Sequence, residues 1–82
     1  MPKMKVKIYT IKDCMFCQLA KQLLKKKNIK YEEIIIDSTN NTFENLKTKT
    51  NFTTLPQIFI NNTFIGGYSE LKVLLENIKN QN

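Results

Sequence analysis

Lys5-Val6-Lys7-Ile8-Tyr9-Thr10, then Ile11-Lys12-Asp13, then Cys14-Met15-Phe16-Cys17 running on from Gln18 to Lys27: these residues pass from one hydrophobic period to another. The first six alternate, with Val6 and Ile8 on one face, as a strand does. From Met15 to Lys27 the spacing is helical: Phe16, Ala20, Leu23 and Leu24 make an apolar stripe, while Lys21, Gln22 and Lys25 face out. Both cysteines of the chain lie at the junction. A helix N-terminus carries unpaired backbone N–H groups and partial positive charge, and both favour a thiolate over a thiol at Cys14. Cys17 follows three residues on, on the same helix face, close enough to form a disulfide with Cys14. The chemistry this arrangement suits is thiol–disulfide exchange.

Three plainer readings compete. A zinc site needs four Cys, His or carboxylate ligands, commonly Cys and His; with no His and no other Cys, only a dimer could complete one. A structural disulfide across a two-residue spacer closes too small a loop to add much stability. The cysteines could also be two incidental buried small hydrophobes.

The length of 82 residues suits one domain over 1–82, and 41% apolar content suits a modest globular core. Two cysteines point to a reducing compartment, hence a cytoplasmic location, rather than a stapled secreted fold. Met1-Pro2-Lys3-Met4-Lys5 leads straight into the first strand, with no signal-peptide pattern. No apolar run approaches a membrane span, so no membrane partner is expected. Sequons at Asn40, Asn51 and Asn61 read as accidents of an Asn-rich chain. The net charge of +6 comes from thirteen lysines, no arginine and seven acids. Apart from Lys25-Lys26-Lys27, the lysines are scattered, and that triple sits at a helix end, where cations are favourable. Without arginine, base-edge readout of nucleic acid is not expected.

Further along, Tyr31 to Asp37 reads as a second strand, and its Ile34-Ile35-Ile36 run suits a strand covered on both faces. Asn28 suits the end of the first helix. Strand, helix and strand make a βαβ unit with parallel strands. Asp37-Ser38-Thr39-Asn40-Asn41 is rich in turn and cap formers. A second helix, Thr42 to Lys49, buries Phe43 and Leu46. Gln57 to Ile60 and Thr63 to Ile65 flank Asn61-Asn62 as a hairpin. After Gly66-Gly67, Ser69 caps a last helix from Glu70 to Lys79, with Leu71, Leu74, Leu75 and Ile78 on one stripe. The tail Asn80-Gln81-Asn82 should fray. The order β-α-β-α-β-β-α predicts an α/β fold: one four-stranded mixed sheet flanked by three helices on both faces.

At this point the chain resembles a glutaredoxin, of the thioredoxin-fold superfamily. The resemblance runs from about Lys5 to Ile78. Three motifs carry it in order: Cys14-Met15-Phe16-Cys17, Thr53-Thr54-Leu55-Pro56-Gln57-Ile58-Phe59, and Gly66-Gly67-Tyr68-Ser69-Glu70-Leu71. It implies a glutathione-dependent thiol–disulfide oxidoreductase with Cys14 as nucleophile and Cys17 as resolving thiol. It implies a cis Pro56 facing the sulfurs, with the Leu55 backbone free to pair with an extended peptide. It also implies a glutathione site at Lys12, Phe16, Thr54, Leu55, Pro56, Gly67, Tyr68 and Ser69. There the N–H groups of Tyr68 and Ser69 would take the γ-glutamyl carboxylate at a helix start. Lys12 would face the glycine carboxylate of glutathione, although the family lysine stands one residue earlier, at Ile11. Met15 replaces the common Pro, Phe16 the common Tyr, and Tyr68 stands where many members have Cys.

The implied partners are glutathione, glutathionylated proteins and proteins with disulfides, ribonucleotide reductase among them, with the chain acting as a monomer. Two rivals keep the fold. One is a carrier of a [2Fe–2S] cluster, held between two protomers by Cys14 of each and two glutathiones. The other is a donor to ribonucleotide reductase that thioredoxin reductase reduces. No metal-binding residue is expected within a single chain.

Overall fold

A computed structural model of the protein describes residues 4–37 and 41–80, with side chains up to residue 77. Among them the elements run β1 (Val6–Ile11), α1 (Met15–Lys26), β2 (Tyr31–Ile36), α2 (Thr42–Thr50), β3 (Gln57–Ile60), β4 (Thr63–Gly66) and α3 (Tyr68–Asn80). The strands form one sheet in the order β2-β1-β3-β4. β1 and β2 are parallel, and the other two pairings are antiparallel. The predicted four-stranded mixed sheet with three helices is the fold. The expected turn at Ser38–Asn40, the tail at Gln81–Asn82 and the Ile78 side chain lie outside the described residues, as do Met1 to Lys3.

Alternation along each strand divides the core in two. On one face Val6, Ile8 and Ile58 meet Ala20 and Leu24 of α1 and Leu71 and Leu75 of α3. On the other, Ile36 and Phe59 meet Leu46 of α2, with Tyr9, Phe43, Leu55 and Phe64 packed around them. Fully burying an aliphatic side chain such as Ile8 or Leu24 is worth roughly 1.5–3 kcal/mol over leaving it in water. That sum over a few residues per face is what holds the helices down.

The turns follow from side-chain chemistry. Lys27 is the C-cap of α1, followed by Asn28 in the left-handed region, φ +59°. The Asn28 N–H donates to the Lys25 carbonyl and the Ile29 N–H to the Leu24 carbonyl, at 3.0 and 2.9 Å, which closes a Schellman motif. Asn61 and Asn62 both have positive φ, 51° and 68°, as a two-residue type I′ hairpin requires. Asn61 Oδ1 accepts the Lys5 N–H and so ties the hairpin to the start of β1.

Four expectations are corrected. β2 is an edge strand, and Ile35 is 64% exposed rather than covered. A run of isoleucines marks a strand but says nothing about its neighbours, and β1 takes the centre because β3 pairs with its other side. The buried face of α1 runs through Cys17, Ala20 and Leu24, and Phe16 is exposed. A stripe through Phe16 and one through Cys17 share Ala20, so spacing alone does not separate them. Lys21 does not face out: it is half-buried and paired to Glu33 at 2.9 Å. Finally, α3 starts at Tyr68, and Gly67 rather than Ser69 caps it. The Gly67 carbonyl accepts the Leu71 N–H at 3.0 Å, and Glu70 Oε1 reaches back to the Gly67 N–H at 2.8 Å. Glu70 thus forms the reciprocal half of a capping box, leaving Ser69 within the first turn.

Candidate active site

The β1–α1 junction positions the sulfurs. Asp13 takes a left-handed conformation, φ +61°, which Asp tolerates. The chain then turns so that Cys14 is the N-cap of α1, with an extended backbone. Its carbonyl accepts the first helical bond, from the Gln18 N–H at 3.1 Å. Its sulfur takes the place of the usual capping oxygen and accepts the Cys17 N–H at 3.1 Å. Cys14 is partly exposed, whereas Cys17 is 1% exposed, and both are free thiols. Burial, reinforced by the neighbouring Cys14 side chain, pushes the Cys17 thiol from an ordinary 9.0 up to about 12. The Ile11 backbone and Lys21 pull it in the other direction. One sulfur is therefore accessible at a helix start, and the other is a neutral, shielded thiol at neutral pH.

A second loop lies against the first. The Cys14 thiol points at the Leu55 carbonyl, 3.8 Å away. The Leu55–Pro56 peptide is cis. Gln57, fully buried, holds this loop from below. Its Nε2 donates to the Phe52 carbonyl at 2.8 Å and approaches the Thr54 carbonyl at 3.4 Å. Its Oε1 lies 3.0 Å from the Thr50 hydroxyl, which in turn accepts the Phe52 N–H at 3.1 Å. Every buried polar side-chain atom among the described residues has a partner. This network joins the end of α2 to the start of β3 and fixes what lies between.

The third wall is the start of α3. Gly66 has φ +123°, and a Cβ there would stand 2.6 Å from Glu70 Cγ. At Gly67 a Cβ would lie 3.2 Å from the Pro56 carbonyl and 3.3 Å from the Phe52 ring. The missing side chains let α3 approach the loop closely. The N–H groups of Tyr68 and Ser69, in the first turn, have no partner within the helix.

Phe16, Thr54, Leu55, Pro56, Gly67, Tyr68 and Ser69 line one cleft of about 280 Å³, completed by Phe52 and Glu70. The Phe16 and Tyr68 rings stand 6.1 Å apart across it. Seven of the eight binding residues expected from sequence thus meet in one place beside Cys14. Lys12 does not: it is exposed, lies outside the cleft lining and makes no hydrogen bond or ion pair with another described residue. Phe52 and Gln57 escaped the sequence reading. The signal for Gln57 was its polarity inside an otherwise apolar strand, which demands buried partners. Larger clefts of about 520 Å³ around Ile65, Val73 and Leu74 and about 360 Å³ around Lys5, Lys30 and Asn62 lack Leu55, whose carbonyl meets the Cys14 thiol, so nearness to Cys14 rather than volume selects the site. No group of three or more His, Cys, Asp or Glu side chains that could hold a metal ion gathers among the described residues.

Residues 6–65 match the family model for glutaredoxin. The chain belongs to the glutaredoxin family. It is 41% identical over 69 residues to a glutaredoxin of Pseudomonas aeruginosa, covering 84% of this chain and 82% of that one. It is 39% identical over 69 residues to glutaredoxin 3 of Escherichia coli strain K12, covering 84% and 83%. Among solved structures, glutaredoxin 1 of Francisella tularensis, complexed with cacodylate, superposes with a TM-score of 0.79 at 38% identity, covering 94% of this chain and 98% of that one. As a glutaredoxin, the protein is a thiol–disulfide oxidoreductase with a cysteine pair, set on the thioredoxin-like fold described above.

Proposed function

We propose that this glutaredoxin uses glutathione to reduce glutathionylated proteins and protein disulfides, with Cys14 as nucleophile and Cys17 as resolving thiol. The observation that carries the proposal is the cleft beside Cys14. It joins the backbone of Leu55 to the unpaired N–H groups at the start of α3. Oriented N–H groups at a helix start suit a carboxylate, and the exposed backbone of Leu55 suits a short peptide laid alongside it as an added strand. Glutathione is a short peptide with a carboxylate at each end. In this reading its γ-glutamyl end lies on the Tyr68 and Ser69 N–H groups, with the Ser69 hydroxyl nearby. Phe16, Phe52 and Tyr68 form the apolar walls, beside Thr54, Pro56 and Gly67. Lys12, exposed and unpaired, is free to swing towards the other carboxylate.

The chemistry then has two parts. The Cys14 thiolate attacks the glutathione sulfur of a protein–glutathione disulfide, and the protein thiolate leaves and takes a proton from water. A second glutathione thiolate attacks the glutathione sulfur now bound to Cys14, releasing glutathione disulfide and restoring the Cys14 thiolate. With a protein disulfide, Cys14 first forms a mixed disulfide with one substrate sulfur. Cys17 then displaces the substrate, and glutathione reduces the Cys14–Cys17 disulfide. A reducing cytoplasm is the compartment that suits this cycle.

The deciding experiment is reduction of a small mixed disulfide of glutathione, coupled either to glutathione plus glutathione reductase or to thioredoxin reductase alone. Turnover in the first system and none in the second is expected. Turnover only with thioredoxin reductase overturns the glutathione reading.

A further inference from the structure

Thr10, Lys21 and Glu33 sit on three consecutive elements, β1, α1 and β2, and meet at one oxygen. The Thr10 hydroxyl donates to Glu33 Oε2 at 2.7 Å, and Lys21 Nζ donates to the same oxygen at 2.9 Å. Thr10 is 2% exposed, and the Lys21 and Glu33 side chains are only 18% and 24% exposed. Exposed pairs of long side chains are loose and contribute little. This one is fixed by a buried hydroxyl, which holds the ammonium at a defined place.

Lys21 is also a helix neighbour of Cys17. Lys21 follows Cys17 by four residues, on the next turn of the same face of α1, a spacing that puts Cβ atoms about 5–6 Å apart. The Ile11 backbone, adjacent to Thr10, also favours the charged form of the buried Cys17 thiol. The titratable groups acting on Cys17 are Cys14 and Lys21; those acting on Lys21 are Glu33, Tyr31 and Cys17, and Lys25 also faces Glu33.

We infer that Lys21, held by Glu33 and Thr10, is the positioning residue for the resolving cysteine: its ammonium supplies the fixed positive charge that the Cys17 sulfur needs as the attacking thiolate. The inference rests on the division of roles proposed above. In the resolving step the Cys17 thiol releases its proton to water, and the thiolate attacks Cys14 Sγ in the mixed disulfide. The Cys14–Cys17 bond forms as the bond from Cys14 to the substrate sulfur breaks. The substrate thiolate leaves and takes a proton from water. The substrate disulfide is reduced to two thiols, and the protein dithiol is oxidised to its disulfide. Burial opposes the first event, since the Cys17 thiol stands at about 12; the Ile11 backbone and, more weakly, the Lys21 charge act against that burial.

The test uses the reduced protein and an aromatic disulfide, dithiobis-nitrobenzoate, followed by stopped flow from neutral to alkaline pH. The first equivalent of coloured arylthiolate reports attack by Cys14, and the second reports resolution by Cys17. In Lys21→Met the first phase is unchanged. The second slows about tenfold near neutrality, as a shift of one pKa unit would give, and its pH profile moves up. Lys21→Arg restores the second phase. Glu33→Gln keeps an oxygen for both donors and removes the counter-charge, so its second phase is as fast as in the parent or faster.

An unchanged second phase in Lys21→Met overturns the inference. So does a Glu33→Gln variant slowed like Lys21→Met, because the ion pair then only staples α1 to β2. If Lys21→Met does not fold, the Glu33→Gln measurement decides alone. A parent protein showing both phases but no turnover with glutathione removes glutathione and leaves Lys21 standing. A parent without a second phase removes the role of Cys17 and this inference with it.

Discussion

The Cys17 backbone N–H donates to Cys14 Sγ at 3.1 Å, so the residue that buries one sulfur also presents a donor to the other. The pair is asymmetric by construction. Cys14 occupies the cap position, where the helix leaves its donors unpaired, and Cys17 occupies the first buried position of the helix face. A negative sulfur is poorly accommodated at the second of these places.

Cys14→Ser therefore abolishes turnover in a glutathione mixed-disulfide assay, while Cys17→Ser keeps much of it. Reduction of a protein disulfide that requires resolution is lost in both variants. Equal loss of the first activity in both would contradict the division of roles.

The same asymmetry gives a pH dependence. The Cys17 thiol is raised by burial from 9.0 to about 12, so the folded protein keeps a proton that the unfolded chain releases. The stability associated with this group is complete below pH 9.0 and is lost as pH rises from there towards about 12. Denaturant unfolding of the reduced protein should show this alkaline decline, and Cys17→Ala should flatten it. An identical decline in both proteins would mean that other groups cause it.

Gln57 anchors the loop that carries Leu55 and Pro56. Gln57→Leu keeps a similar volume but leaves the Phe52 carbonyl without its donor at 2.8 Å. The cost is about 1–3 kcal/mol of stability, the penalty for an unsatisfied buried group. Because the Leu55 carbonyl faces Cys14, turnover falls even where the variant is fully folded, which circular dichroism and the mixed-disulfide assay together would establish. Normal turnover would show that the loop holds its shape without Gln57.

The two glycines should differ. Alanine at Gly66 meets both a positive φ of 123° and the Glu70 side chain at 2.6 Å, so it destabilises the fold, by an amount on the order of 1–3 kcal/mol. Alanine at Gly67 meets the Pro56 carbonyl at 3.2 Å and the Phe52 ring at 3.3 Å. It narrows the cleft, raising KM for the glutathione mixed disulfide more than it lowers the melting temperature. Reversed effects would move the ligand contact to Gly66.

Alternation in β1, the helical period of α1 and the Asn61-Asn62 turn are local properties of a few neighbouring residues, and the sequence by itself determined them. The strand-to-helix position of Cys14 and Cys17 was equally legible, because the spacing of apolar residues changes period there. The three motifs hold every cleft residue but Phe52, yet no spacing could show that segments forty residues apart meet around one sulfur. That depends on which strands pair. Tertiary structure alone decided that β2 is an edge, leaving Ile35 exposed, and that Cys17 rather than Phe16 turns inward. It also decided that Gly67, not Ser69, caps α3, since Glu70 is placed to reach back to the Gly67 N–H. It brought Thr10, Lys21 and Glu33 together across three elements and left Lys12 in solvent. In each case the physical reason is the same: burial and hydrogen-bond partners at these positions come from distant parts of the chain, and local pattern carries no information about them.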